Sequence, residues 1–305
     1  MSRAVPGSVT ACATHPPRAM RRIAWGWVSL LFLLAGVSPP ALGAESFDAR
    51  FLQGLGDTRY HRLESEVLDR PLHVYVRVPE PESPARRYPT VFVLDGGAFF
   101  PLLSAYYHAL RWGEEVPEMI VVGISYGSDR FKGGNYRASD FTAPAADREW
   151  WGGAPKFQQA LAAELLPLIE ARYPADPRRR ILLGQSLGGQ FVLYSALTRP
   201  ELFFGHIASN PALHRNLDWF LDWRGEAAMP NAATRLFLVE AEFDDARFRQ
   251  PALKWIEHWS AADRQAPFRL EVRMLEGHTH LSAVTEAFRL GVPWLLGADL
   301  AASGE

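Results

Sequence analysis

The chain has 305 residues, of which 48% are hydrophobic and 22% are charged, so it can bury the core of one large α/β domain and is ordinary for a globular protein. It has 32 basic and 34 acidic residues and a formal net charge of −2. This balance argues against a nucleic-acid-binding protein, and the sequence contains no repeat or low-complexity tract.

Residues 1–44 are predicted to be a secretory signal peptide. They contain four arginines, no acidic residue, an apolar run over Ile23–Val37 that is short for a membrane span, and small residues leading to cleavage after Gly43 or Ala44. An uncleaved membrane anchor is the alternative. Cleavage would leave 28 basic against 34 acidic residues, a net charge of −6, and would remove Cys12, the only cysteine. The exported protein would then be periplasmic or secreted, without disulfides and without stable insertion in the membrane.

Residues 45–305 are predicted to form a single domain with a mostly parallel sheet and helices on both faces. The predicted strands are mostly continuous apolar runs that alternate with helical patterns, which is typical of strands buried on both sides. They are Leu72–Val78, Thr90–Asp95, Met119–Ser125, Ile181–Leu183, Phe203–Ser209, Arg235–Glu240 and Phe268–Leu275. The predicted helices are Pro155–Arg172, Phe191–Leu197, Arg249–Ser260 and Ser282–Leu296.

A long segment, residues 126–153, follows the third of these strands and is dense in glycine, charged and aromatic residues. Loops of this length in a compact domain are usually functional or disordered. Because this one leaves the carboxyl end of a strand, where ligands bind in such sheets, we expect it to line the site.

The pentapeptide Gly184-Gln185-Ser186-Leu187-Gly188 lies between a predicted strand and a predicted helix. This G-x-S-x-G context is that of a nucleophile elbow, in which glycines allow the strand and the helix to approach closely at a strained turn. A structural turn can also carry the same pattern by chance. We interpret Ser186 as the candidate nucleophile.

A nucleophilic serine needs a base and a group that orients the base, and in this architecture the acid precedes the histidine in the chain. The loop after the Arg235–Glu240 strand offers Glu242, Asp244 and Asp245, of which Asp244 is preferred and Glu242 is second.

The loop after Leu275 offers two histidines, His278 and His280, of which only one can be the base. A His-x-His pair also suggests a metal site, but no third ligand at helical spacing supports it, so we expect no metal.

Two backbone amides are predicted to stabilise the oxyanion that develops during acyl transfer. One is the N–H of Leu187, the residue after the nucleophile. The other should come from the segment Asp95-Gly96-Gly97-Ala98, which could equally be a simple Gly-Gly turn.

The sequence resembles the esterase branch of the α/β-hydrolases that includes enterochelin esterases, feruloyl esterases, esterase D and the mycolyltransferases. The resemblance extends over about Leu72 to Leu296. It is carried by Val93-Leu94-Asp95-Gly96 with Phe99-Phe100, Val121–Ser125, Arg137-x-x-Asp140-x-Thr142, Gly152-Gly153 with Phe157, Gly184–Gly189, and Gly277-x-x-His280-x-Ser282.

The resemblance implies roles for individual residues. It makes Ser186 the nucleophile and Asp244 the acid, three residues after a position that is usually glycine and is Ala241 here. It selects His280 as the base because a serine follows two residues later, and it places the second oxyanion donor at Gly97.

Two further parts of the long segment are candidate substrate-contacting groups. Arg137 and Asp140 match a motif that shapes the site, although a salt bridge that pins the loop would fit as well. The aromatic residues of this segment offer surface for an aryl group, unless they only pack the loop. They are Phe131, Tyr136, Trp150 and Trp151.

The sequence therefore predicts an exported serine carboxylesterase with a Ser-His-Asp triad, an acyl-enzyme and a small-molecule ester substrate, a siderophore or aryl ester being the suggested class. It implies no metal, no organic cofactor and no nucleic-acid partner. The alternatives are acyl transfer of the mycolyltransferase type and a binding protein on a hydrolase scaffold.

Overall fold

The described part of the chain is built around one eight-stranded sheet, and Ser186, Asp244 and His280 each directly follow one of its strands. A computed structural model of the chain describes residues 52–79, 86–126, 128, 133–224, 234–261 and 266–302, with side chains up to residue 297. The strands are β1 (Asp57–Ser65), β2 (Arg70–Val78), β3 (Tyr88–Val93), β4 (Ile120–Ser125), β5 (Ala175–Gln185), β6 (Gly205–Ser209), β7 (Arg235–Phe243) and β8 (Arg269–Thr279).

The strand order is β1-β2-β4-β3-β5-β6-β7-β8. The pairs β1/β2 and β2/β4 are antiparallel, and every pair from β4 to β8 is parallel. The carboxyl ends of the parallel strands consequently meet at one edge of the sheet.

Helices cover both faces of the sheet, as predicted. They are α1 (Gly96–Trp112), α2 (Arg137–Asp140), α3 (Ala154–Ala160), a π-helical turn (Leu161–Leu165), α4 (Leu166–Arg172), α5 (Leu187–Thr198), α6 (Leu217–Leu221), α7 (Ala246–Ser260) and α8 (Ala283–Ala302), with 3₁₀ turns at Gln53–Leu55 and Pro200–Leu202. Phe100 of α1 and Phe288 of α8 are buried in the core of one face. Phe157 of α3, Phe191 of α5 and Trp255 of α7 are buried in the core of the other.

The predicted mostly parallel sheet is confirmed, and each predicted strand is present with shifted ends. The single helix predicted over Pro155–Arg172 is wrong in detail, because a π-helical turn divides it. Pro167 follows that turn and has no N–H to continue the regular hydrogen-bond ladder, which is a physical reason for the irregularity. The long segment after β4 contains the short helix α2.

The predicted signal peptide, residues 1–44, lies outside the described residues. Among the described helices, none is both long enough and apolar enough to cross a membrane.

A close contact between β5 and α5 depends on glycine. A Cβ atom added to Gly184 would lie 2.3 Å from the carbonyl carbon of Gly188, inside the first turn of α5. Such a separation is too short for any real contact, so strand and helix would have to move apart.

We therefore expect Gly184→Ala to lower the free energy of unfolding by about 1–3 kcal/mol or more, the cost of overpacking. Gly297→Ala is the matched control, because a Cβ at Gly297 in α8 meets no atom within 4 Å. That variant should be neutral or stabilising by up to ~1 kcal/mol. Urea unfolding of both variants checks this, and equal stabilities would contradict it.

Candidate active site

Ser186 lies at a strained turn between β5 and α5. Its backbone has φ +60° and ψ −116°, a conformation that non-glycine residues rarely adopt. Its N–H donates to the carbonyl oxygen of Ser209 at 2.9 Å, and its own carbonyl accepts from the N–H of Ala212 at 3.0 Å. These bonds hold the strained turn in place at the carboxyl edge of the sheet.

Asp244 and His280 meet because their strands are paired. Phe243, the last residue of β7, is in register with Thr279, the last residue of β8. The two residues that follow are joined by a hydrogen bond of 2.7 Å between His280 Nδ1 and Asp244 Oδ2. The Asp244 side chain is 1% exposed and that of His280 is 22% exposed. A carboxylate that accepts from Nδ1 leaves Nε2 free to act as a base.

His280 is also fixed through its backbone and its ring. Its carbonyl oxygen accepts from the amide group of Gln185, the neighbour of Ser186, and from Asn210 Nδ2 at 2.8 Å. The Phe248 ring stacks on its imidazole with centroids 5.0 Å apart. The histidine loop is thereby tied to the elbow, although Ser186 Oγ and His280 share no hydrogen bond in the part of the chain that the structure describes. Such contacts are often long before substrate binds.

The competing acid and histidine make other contacts. Glu242 Oε2 accepts from the N–H of Gly277 at 3.0 Å, so this carboxylate braces the histidine loop. His278 Nδ1 donates to the carbonyl oxygen of Glu276 at 2.8 Å. Within the described ranges, no three His, Cys, Asp or Glu side chains are grouped closely enough to hold a metal ion.

The two predicted oxyanion donors lie at neighbouring helix starts. Gly97 is the second residue of α1, and Leu187 is the first residue of α5. N–H groups of a first helical turn have no partner within the helix and favour negative charge. The two starts are close together, since a Cβ on Gly188 would lie 3.5 Å from Asp95 Oδ2. The Gly-Gly segment is therefore a helix start rather than a simple turn, and the role of the amides stays a prediction.

Arg137 and Asp140 form two separate salt bridges. Arg137 donates to both carboxylate oxygens of Asp95, at 2.8 and 3.0 Å, and so fixes the start of α1. Asp140 pairs with Arg70, whose guanidinium group also lies 4.0 Å from the ring centre of Tyr136. These contacts fit the loop-pinning interpretation, and substrate binding by Arg137 stays a prediction.

The two predicted tryptophans have different surroundings. Trp150 is exposed and lies beside the Arg148 guanidinium group, 5.5 Å from its ring. Trp151 is half-buried and packs edge-on against His214, with centroids 6.2 Å apart. Phe131, the other predicted aromatic contact, lies outside the described residues.

Glu240 is a buried carboxyl group that interacts electrostatically with Asp244, the candidate acid. Its side chain has no exposure, and neither of its oxygens has a hydrogen-bond partner among the described residues. Burial and, less strongly, the carboxylate of Asp244 raise its pKa to about 8, against the opposing effect of Arg249. The folded protein therefore holds a proton on Glu240 at neutral pH.

This proton makes stability depend on pH. Unfolding exposes Glu240 and releases the proton above its ordinary pKa of 4.5, so the free energy of unfolding should fall as pH rises from about 4.5 to about 8 and level off beyond. The contribution of one proton is about 1.4 kcal/mol per pH unit. We expect Glu240→Gln to remove this part of the slope in denaturant titrations at several pH values. Glu257→Gln, at an exposed position on α7, should keep the wild-type slope, and equal slopes for the two variants would refute the prediction.

Three residues that hold the site were missed in the sequence. Gln185 occupies the variable position before the serine, Asn210 directly follows β6, and Phe248 lies in the first turn of α7. A signal existed for Asn210, since a polar residue at a strand's carboxyl end often serves the site. Asn210 has a left-handed backbone conformation, with φ +41°. Its side-chain Oδ1 accepts a hydrogen bond from the N–H of Ala241 at 2.8 Å and so joins the carboxyl ends of β6 and β7.

Comparisons with known proteins identify the family. A family model described as "Putative esterase" matches residues 65–281. The ferri-bacillibactin esterase BesA of Bacillus subtilis is 32% identical over 182 residues, which are 54% of this chain and 61% of that protein. The apo-salmochelin esterase of Escherichia coli is 29% identical over 185 residues, 57% of this chain and 54% of that protein. The chain thus spans little more than half the length of these two relatives.

A solved structure is also similar. The enterobactin and salmochelin hydrolase IroE superposes with a TM-score of 0.62 at 26% identity, over 79% of this chain and 95% of that chain. Because the family model matches more than half of the chain and its range includes Ser186, Asp244 and His280, the chain belongs to the putative esterase family, in the enterochelin-esterase-like branch of the α/β-hydrolase fold.

Proposed function

We propose that this protein hydrolyses carboxylic esters through Ser186, His280 and Asp244. The observation that carries the proposal is the hydrogen bond from His280 Nδ1 to the buried carboxylate of Asp244, beside an elbow serine held in a strained conformation. Family membership supports the reaction class.

The proposed reaction has two halves. His280 Nε2 takes the proton of Ser186 Oγ as the oxygen attacks the ester carbonyl, and Asp244 stabilises the imidazolium. The N–H groups of Gly97 and Leu187 hold the oxyanion. His280 then gives its proton to the leaving alcohol, which departs and leaves an acyl group on Ser186. A water molecule, deprotonated by His280, attacks this acyl-enzyme and releases the acid and the free serine.

We propose a siderophore ester or an aryl ester as the substrate class. The relatives BesA and the apo-salmochelin esterase are named for siderophores, and Trp150 and Trp151 offer aromatic surface on the segment after β4. We also propose export by the leader of residues 1–44, for which the mass of the mature protein is the test: its first residue should be Ala44 or Glu45.

A substrate panel with product analysis tests the function. Purified protein is given enterobactin, an aryl ester such as naphthyl acetate, and a short aliphatic ester, with and without an added alcohol. We expect hydrolysis, with kcat/KM higher for the siderophore or aryl ester than for the aliphatic ester. Faster hydrolysis of the aliphatic ester would refute the proposed substrate class. Predominant transfer of the acyl group to the added alcohol would refute hydrolysis as the main reaction, and binding without turnover would refute enzymatic activity.

A further inference from the structure

A row of aromatic rings leads away from the base of the proposed triad. Phe248 stacks on His280 with centroids 5.0 Å apart, His214 packs edge-on against Phe248 at 5.0 Å, and Trp151 packs edge-on against His214 at 6.2 Å. Phe248 lies in the first turn of α7, His214 follows β6 and Trp151 belongs to the segment after β4. Three separate parts of the chain thus build one wall that starts at the base.

More positive than negative side chains lie around His214, in the middle of this wall. The groups that act electrostatically on His214 are Arg148, Arg215, Arg247 and Asp147, three cations against one anion. Asp147 pairs with two of these arginines: its Oδ2 lies 2.7 Å from Arg215 Nη1 and 3.9 Å from Arg148 Nη1. One carboxylate cannot neutralise three guanidinium groups, so these four side chains together carry a net charge of two positive.

The arginines remain within reach of a ligand. The Arg148 and Arg215 side chains are 30% and 32% exposed. Arg247 is exposed, and its guanidinium carbon lies 4.4 Å from the ring centre of Phe248. Burial lowers the pKa of His214, and Arg215 and Arg247 lower it further. This imidazole is consequently neutral near pH 7, and the charge of the wall comes from the arginines at every pH near neutrality.

In the proposed reaction, the wall would lie on the side of the alcohol half of the ester. In acyl transfer by a serine, the base gives its proton to the leaving oxygen, so the alcohol half must lie against His280 while the acyl half lies against the oxyanion donors. A wall that begins with the ring stacked on His280 therefore meets the leaving group first.

We infer that Arg247, with Arg148 and Arg215, selects esters whose alcohol half carries a negative charge, such as a carboxylate or a phenolate, while Phe248 and Trp151 contact its apolar or aryl part. Guanidinium groups suit such anions because they offer paired donors and are weakly hydrated. This inference rests on the proposed function and adds a specificity to it.

The test compares two esters that differ only in charge. Both 3-acetoxybenzoate and 3-acetoxybenzamide release an aryl alcohol after transfer of the same acetyl group, and only the first has a negative leaving group. We expect kcat/KM of Arg247→Gln to fall about tenfold for the carboxylate and by less than about twofold for the amide. Added salt should slow the wild type on the carboxylate alone.

Three further variants sharpen the comparison. Arg247→Lys should keep most of the preference for the carboxylate, and Arg247→Glu should reverse it. Arg178→Gln is the matched control, because this side chain is 89% exposed at the other end of β5 and should leave both rates unchanged. The amide ester reads out folding and the triad in every variant.

Equal losses on both esters, or no loss on either, would overturn the inference while leaving the hydrolase intact. So would an effect of Arg247→Gln on 4-nitrophenyl hydrogen succinate, whose charge lies in the acyl half, without an effect on 3-acetoxybenzoate. If the wild type cleaved neither acetoxy ester, the proposed function itself would fail.

Discussion

Ser186→Ala is expected to lower kcat for ester hydrolysis by about 10⁵- to 10⁶-fold, because it removes the only atom that can form the acyl-enzyme. The oxyanion donors and the binding surface remain, so a residual rate of about 10³-fold over the uncatalysed reaction should persist. Hydrolysis of naphthyl acetate, measured in single-turnover and steady-state assays, checks the expectation.

Ser195→Ala is the matched control for this loss. Ser195 is a buried serine on α5 whose hydroxyl has no partner among the described residues, so its replacement should leave kcat within about twofold. Both variants should unfold close to the wild-type denaturant midpoint. A Ser186→Ala protein that stays folded and fully active would show that the elbow serine is not the nucleophile.

Asp244→Asn is expected to lower kcat by about 10⁴-fold while leaving the fold intact. The Asp244 carboxylate accepts from His280 Nδ1 at 2.7 Å. In the proposed mechanism this bond leaves Nε2 free to take the serine proton and stabilises the imidazolium that forms during attack. An asparagine amide can donate to Nδ1 instead, and this favours the tautomer that cannot take the serine proton. Steady-state kinetics with Ser186 intact provide the measurement.

Glu242→Gln is the natural comparison, because Glu242 was the second candidate and lies two residues away. Its carboxylate only accepts from the N–H of Gly277, and a glutamine oxygen can accept in the same way. We expect a loss of less than about tenfold. If Glu242→Gln were as damaging as Asp244→Asn, the assignment of the acid would be wrong.

The elbow could be predicted because its signal lies in adjacent residues. Gly184, Ser186 and Gly188 stand between a buried strand and a helix, and close packing of these two elements requires glycine. A Cβ on Gly184 would meet the backbone of Gly188 at 2.3 Å, which shows why this position excludes larger residues. The order of the acid and histidine loops after the serine is the order that this architecture uses.

Strand β1 and helix α1 could not be predicted in this way. The nine residues of β1 form an edge strand with mostly exposed or half-buried side chains, so no apolar alternation marks it. Gly96 has the lowest helix propensity after proline, yet α1 begins there. A Cβ at Gly96 would lie 2.5 Å from the backbone N of Ile124, so tertiary packing decides the helix start.

The aromatic wall illustrates a second limit of prediction from sequence. Trp151, His214 and Phe248 are widely separated in the sequence, and only the parallel register of the strands brings their loops to one edge. The same register brings Asp244 to His280 through the Phe243/Thr279 pair. The sequence predicts which loops carry the site residues. Which side chains of those loops come into contact depends on the pairing of the strands.

The most direct test of the account is covalent labelling of the mature protein with a fluorophosphonate, followed by mass spectrometry of wild type, Ser186→Ala, His280→Ala and His278→Ala. We predict a label on Ser186, with a rate that falls at least about a hundredfold in His280→Ala and is unchanged in His278→Ala. A label on another residue, no label on the folded wild type, or a loss that follows His278 instead would contradict a Ser186 nucleophile activated by His280.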